Sequence, residues 1–135
     1  MSGDRLPELR EAAAGAMANA YAPYSEFRVG AALLGADGSV TTGCNVENAA
    51  YPSGICAERA AVTAAVARGV RRFTRLVIAT EAGSPTPPCG VCRQVLVEFA
   101  PSLDVVSFTT TGASAHWNLR DLLPHPFTPL SLEHR

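Results

Sequence analysis

Three cysteines constrain this chain more than any other feature: Cys56, within Cys56-Ala57-Glu58-Arg59, and the pair Cys89 and Cys92, within Pro88-Cys89-Gly90-Val91-Cys92. Cys89 follows Cys56 by 33 positions, and each segment opens a stretch with helical spacing. A fold that gathers these thiols has to set two helix starts side by side. Thiolates suit Zn²⁺, which prefers four tetrahedral ligands, so three protein ligands leave one position for water. An ion held this way lowers the pKa of that water to ~7 in favourable cases, yet it moves no protons. Glu58, two residues beyond Cys56 on the same helical turn, can do that. Three thiolates outweigh the ion's own charge and weaken the acidification. Two helix N-termini and Arg59 offset this.

The thiols admit other readings. Cys89-Gly90-Val91-Cys92 at a helix start also has the form of a dithiol redox motif. Such chemistry requires neither a distant third thiol nor the carboxylate beside it. Cys44 reads either as a small buried residue of a strand or as a fourth ligand. In the second case the zinc site is closed and structural, and the chain is a zinc-stapled binding module rather than an enzyme.

With 135 residues the chain is expected to form one domain, 1–135, with a sizeable core. Its 11 basic and 12 acidic residues leave a net charge of −1, which gives no footprint for a polyanion, so no nucleic-acid partner is expected. No apolar run approaches the ~20 residues of a membrane span, so no membrane partner is expected either. The start Met1-Ser2-Gly3-Asp4-Arg5 lacks a following apolar stretch, because Glu8, Arg10 and Glu11 interrupt the alanines. This reads as an unprocessed, cytoplasmic protein, where four cysteines are more often metal-binding or catalytic than disulfide-bonded.

Apolar residues at Leu6, Leu9, Ala13, Met17 and Ala20 predict an amphipathic helix over residues 6–21, with Pro7 in its first turn and Pro23 beyond its end. Residues 27–34 read as a strand, and Asp37-Gly38 before Val40, Thr42 and Cys44 signals an antiparallel hairpin. Asn45 and Glu47, two apart on extended backbone, point the same way and suit a sugar hydroxyl; the plain alternative is a loop rich in turn-formers. An alanine-rich helix runs from Cys56 to about Arg68 and stops at Gly69. Leu76-Val77-Ile78-Ala79 lacks alternation, as in a strand buried on both faces. Pro85, Pro87 and Pro88 stiffen the connection that delivers Cys89 to a third helix, which buries Val95, Leu96 and Phe99 and is stopped by Pro101. Arg93 and Gln94 read as first-turn surface residues, or, for Gln94, as packing behind the site. Val105 to Phe108 predicts a fourth strand, Ala115-His116-Trp117 a short fifth and Leu119 to Leu123 a short helix, while residues 109–114 carry no signal. His116, His125 and His134 lack ligand spacing and read as surface or tail residues. The whole predicts a three-layer α/β/α domain with a mixed sheet of about five strands.

Cys-Ala-Glu followed by Pro-Cys-x-x-Cys resembles the zinc-dependent cytidine deaminases, and the Cys₃ form resembles the small enzymes that act on free nucleosides. The likeness continues through Tyr24-Ser25-Glu26-Phe27-Arg28-Val29-Gly30, Gly43-Cys44-Asn45-Val46-Glu47-Asn48-Ala49, Cys92-Arg93-Gln94 and Leu122-Leu123-Pro124. It implies a cytidine deaminase-like fold and hydrolytic deamination of cytidine and 2′-deoxycytidine to the uracil nucleosides with release of ammonia, a step of pyrimidine salvage. It implies one Zn²⁺ per chain on Cys56, Cys89 and Cys92, with Glu58 as proton shuttle and Arg59 compensating the thiolate charge. The nucleoside is implied to meet Phe27, Asn45, Val46, Glu47 and Ala57. It further implies a homotetramer in which Phe127, otherwise a docked tail residue, reaches a neighbouring active site and covers the base. A deaminase of another aminopyrimidine, of the blasticidin type, shares the cysteine motifs; the Asn45 and Glu47 pair favours an ordinary nucleoside. Ala60 stands where a threonine is usual in the resembled family.

Overall fold

The structure, a computed structural model, describes residues 5–133, and His134 lies outside the described residues. The chain runs through α1 (Leu6–Met17), β1 (Val29–Gly35), β2 (Val40–Cys44), α2 (Ala57–Ala67), β3 (Phe73–Thr80), α3 (Gly90–Phe99), β4 (Asp104–Thr109), β5 (Ser114–Asn118) and α4 (Leu119–Leu122). Short 3₁₀ turns add Tyr51–Ser53 and Pro129–Leu132. The five strands form one sheet in the order β2-β1-β3-β4-β5. β3 and β4 are parallel and joined through α3, while the other neighbours are antiparallel. This is the mixed five-stranded sheet that the sequence predicts.

The unbroken apolar run in β3 explains the layering. Leu76 and Ile78 pack with Ala31, Leu33, Ala61 and Leu96 beneath α2 and α3, whereas Val77 and Ala79 pack with Leu9, Ala13 and Ala32 beneath α1. Two glycines let the helices sit close. A Cβ on Gly30 would lie 2.0 Å from the Ala13 carbonyl oxygen, and one on Gly43 would lie 2.5 Å from both the Ala57 carbonyl oxygen and the Ala61 nitrogen. The hairpin forms as expected, with Gly38 at a φ of +88° and Ala31 facing Gly43 across the ladder.

Several boundaries differ from expectation for reasons that lie far away in sequence. α1 ends at Met17 instead of near Tyr21 because the backbone of Tyr21 is taken by another segment: its N–H donates to the Asn45 carbonyl (3.0 Å) and its carbonyl accepts from Glu47 N–H (2.8 Å). β1 starts at Val29 instead of Phe27 because the Asn45 side chain fills the place of a ladder partner. Its Oδ1 accepts from Val29 N–H and its Nδ2 donates to the Phe27 carbonyl, both at 2.8 Å. In α3 the fully buried positions are Cys92, Leu96 and Val97, while Val95 and Phe99 sit half-buried at the edge of the core. The unsignalled residues 109–114 hold the end of β4, the β4–β5 turn at 110–113 with Gly112 at a φ of +99°, and the first residue of β5.

Candidate metal and nucleoside site

Both predicted helix starts converge. Cys56 is the residue before α2 and Cys89 the residue before α3, each in extended conformation, and Cys92 lies one turn into α3. The three sulfurs all lie within 4.8 Å of one another. Sulfurs ~2.3 Å from a tetrahedral Zn²⁺ stand roughly 3.8 Å apart, so the spacing suits that ion. Among the described residues no histidine or carboxylate joins the cluster, and neither does Cys44, which sits in β2 opposite Gly30. The fourth corner is therefore left to a ligand from outside the described chain, and the closed four-cysteine reading finds no support in the placement of Cys44.

Hydrogen bonding between the Cys92 and Cys56 thiols, with Arg59 beside them, holds Cys56 down at about 5, while the same bond and burial push Cys92 up. The Arg59 Nη2 lies 3.6 Å from the Cys56 sulfur, and its buried Nε has no hydrogen-bond partner among the described residues. That guanidinium thus has capacity left for more negative charge at the sulfurs. Glu58 is 6% exposed in the first turn of α2. Burial, with the Cys56 thiolate adding to it, pushes its carboxyl up to about 7. A carboxyl titrating there can both give and take a proton near neutral pH.

A cleft of about 450 Å³ opens over this floor, within the range of small-molecule sites. Phe27, Asn45, Glu47, Ala57, Glu58 and Cys89 are among its walls. Asn45 and Glu47 do face the same cavity, yet most of their polar capacity is committed to the chain itself. Glu47 Oε1 accepts from Tyr24 and Ser25 N–H (3.0 Å each) and Oε2 accepts from the Ser25 hydroxyl, which holds its pKa below the usual carboxylate range. These bonds fix the turn before Phe27, where Glu26 adopts a left-handed φ of 57°. Asn45 and Glu47 therefore shape the wall that carries Ser25 and Phe27. Between Asn45 and Glu47, Val46 forms an antiparallel bridge with Ile55 through two N–H···O bonds of 3.0 Å, and Cys56 follows Ile55 directly.

Not every expected residue is brought together. Val46 is 44% exposed and Phe127 is 59% exposed, and neither is among the described residues lining this cleft. Conversely Ser25, Tyr51, Thr86 and Pro87 line it without having been singled out. Pro87 carried a signal in the stiff connection before Cys89, and Ser25 one in the Tyr24-Ser25-Glu26-Phe27 motif. A second hollow of about 360 Å³ adjoins the first across Ser25 and Glu47, walled by Tyr24 and Tyr51, whose rings meet edge to face at 6.0 Å.

Residues 5–108 match the family profile described as the cytidine and deoxycytidylate deaminase zinc-binding region. The chain belongs to this family. Among the deaminases it is similar to is the cytidine deaminase of Sporosarcina psychrophila, 44% identical over 85% of this chain and 85% of that one. That of Mycobacterium tuberculosis (strain H37Rv) is 45% identical over 88% and 86%. The crystal structure of cytidine deaminase from Burkholderia pseudomallei superposes with a TM-score of 0.87 at 45% identity, covering 94% of this chain and all of that one. Membership of a zinc-binding deaminase family accords with the donor set, and Cys56, Cys89 and Cys92 are the residues positioned to hold the ion.

Proposed function

We propose that the protein hydrolyses cytidine, and 2′-deoxycytidine with it, to the corresponding uracil nucleoside and ammonia, as a step of pyrimidine salvage. The observation that carries this reading is the placement of Glu58, buried and with a carboxyl pKa near neutrality, beside three clustered sulfurs at the floor of a cleft sized for a nucleoside.

Cys56, Cys89 and Cys92 hold one Zn²⁺ per chain. When bound, the ion supplies Lewis acidity that makes water nucleophilic near neutral pH. Glu58 takes one proton from the attacking water and gives it to N3 of the cytosine as the oxygen bonds to C4. It then takes the second proton from the hydroxyl now on C4 and passes it to the amino group, so that the C4–N bond breaks, ammonia departs, the C4 carbonyl forms and Glu58 is again the carboxylate it began as. Arg59 compensates the thiolate charge from its position 3.6 Å from Cys56. Phe27 and Ala57 flank the base, and the remaining lone pairs and N–H of Glu47 and Asn45 meet the sugar hydroxyls.

We assign Phe127 to a neighbouring subunit's site in a homotetramer, with Val46 in the surface between copies. Val46 and Phe127 are exposed, as are Tyr24 and Tyr51, whose rings meet to form a continuous apolar surface; this supports a contact with another copy. Reduced thiolate ligands suit a cytoplasmic location, and no described helix is long and apolar enough to cross a membrane. The test is zinc per chain together with the ultraviolet change of cytidine on incubation, for the wild type and for Glu58→Gln. The variant is expected to keep its zinc and its melting temperature and lose about 10²–10⁴-fold in kcat, the usual share of positioned acid–base catalysis. Full activity in zinc-replete Glu58→Gln would refute the role.

A further inference from the structure

The motif Cys92-Arg93-Gln94 continues past its metal ligand into two side chains that the reaction does not use. Both reach the C-terminal segment. The Arg93 Nε donates to the Pro88 carbonyl at 2.7 Å, next to Cys89, and its Nη1 donates to the Leu122 carbonyl, also at 2.7 Å. The following residue, Gln94, donates from Nε2 to the Phe127 carbonyl at 2.7 Å. Between the two fastened carbonyls runs Pro124-His125-Pro126, in which His125 adopts a left-handed φ of 57°. A non-glycine residue in that region persists only where its surroundings hold it, and here the holds fall on either side of it.

We propose that Arg93 and Gln94 are positioning residues that register the C-terminal segment, and with it the ring of Phe127, against the helix bearing Cys89 and Cys92. The ring itself makes little contact with its own chain, being 59% exposed, so its direction is set through its backbone. Arg93 fixes the root of the segment at α4 and Gln94 fixes its tip. The planar fork of Arg93 spans two carbonyls of different segments, which the single ammonium of a lysine does not reproduce. The consequence for the reaction rests on the reading that Phe127 covers the base in a neighbouring site. On that reading, Gln94 governs substrate affinity from a place with no substrate contact of its own.

The experiment uses the full chain with zinc bound and compares Gln94→Ala, Gln94→Glu, Phe127→Ala and the double variant Gln94→Ala/Phe127→Ala. Gln94→Glu keeps the shape and removes the N–H donor, so it serves should the alanine variant fold poorly. Hydrogen exchange of residues 123–133 reads the bracket directly. KM and kcat for cytidine read its effect, and zinc per chain controls for the metal site. Loss of one hydrogen bond is expected to raise exchange and KM by about tenfold or less, with kcat and zinc content near wild type. In the Phe127→Ala background the KM effect is expected to vanish. Unchanged exchange in both Gln94 variants, or a KM effect that persists in full without the Phe127 ring, overturns the proposal. A Phe127→Ala variant with wild-type KM instead overturns the reading of Phe127, and exchange then still decides whether Gln94 holds the segment.

Discussion

Replacing Gly43 by alanine tests whether the sheet sets the position of the site. The added Cβ would lie 2.5 Å from the Ala57 oxygen and the Ala61 nitrogen and 3.0 Å from the Ala60 carbonyl carbon. All three are backbone atoms of α2, so no rotamer change relieves the contact. Comfortable separation begins at about 3.5 Å, so the first turn of α2 has to retreat from β2 by about 1 Å. Overpacking of this kind costs about 1–3 kcal/mol. At this chain length that is a fall in melting temperature of roughly 3–15 °C. The larger effect is expected on the chemistry. Glu58 lies in the displaced turn, two residues after Cys56, while Cys89 and Cys92 stay with α3. A 1 Å misplacement of reacting groups costs on the order of 10²-fold in rate. Thermal unfolding, zinc per chain and kcat with cytidine are measured in Gly43→Ala, with Gly83→Ala as control because a Cβ there meets nothing within 4 Å. Wild-type kcat and melting temperature in Gly43→Ala would refute the idea that close seating of α2 on β2 places the catalytic turn.

Asn45→Ala leaves the Phe27 carbonyl and Val29 N–H without their partner, and is expected to destabilise by about 2–4 kcal/mol in urea unfolding, with KM raised through the displaced Phe27. Cys44→Ser is expected to retain one zinc per chain and most of its activity; loss of the metal would restore the closed four-cysteine reading. Glu47 has a folded pKa below its ordinary value, so its stabilisation is complete above pH ~4.5 and is lost as pH falls through the lower folded value. The stability gap between wild type and Glu47→Gln is therefore expected to close on acidification below pH ~4, and a gap independent of pH would contradict this. Gly15→Ala, on the exposed side of α1 with open space around it, is expected to stabilise by about 0.5–1 kcal/mol without altering kcat.

What the sequence disclosed is what local chemistry decides. The Asp37-Gly38 turn fixes the hairpin, Gly69 ends α2 with a φ of +89°, and the cysteine spacing marks two helix starts that must meet. What it concealed depends on contacts between distant segments. Asn45 suits a sugar hydroxyl by residue type, and nothing near it in sequence shows that its side chain also sets where β1 begins, sixteen residues earlier. Tyr21 scans as the last turn of a helix, until Glu47 and Asn45 take its backbone. The turn at residues 110–113 carries no local signal because its left-handed glycine follows threonines instead of the usual Asn-Gly or Asp-Gly pair. Arg93 reads as a surface residue and Gln94 as a surface or packing residue, while the carbonyls they bond to lie 29 and 33 positions away.

The two-bond bridge between Val46 and Ile55 acts as a ruler. Glu47 follows one bridged residue and Cys56 follows the other, so the Glu47 end and the thiol end of the cavity hang from a single pair of Cα atoms about 5.5 Å apart. Residues 48–54 bulge out from that pair as a closed loop, with Tyr51 at its rim. Because the bridge closes this loop at its base, a change in the loop's length leaves the separation of the Glu47 and Cys56 backbones where the two hydrogen bonds set it. The rim is thus free to vary in a scaffold whose measuring gauge stays untouched.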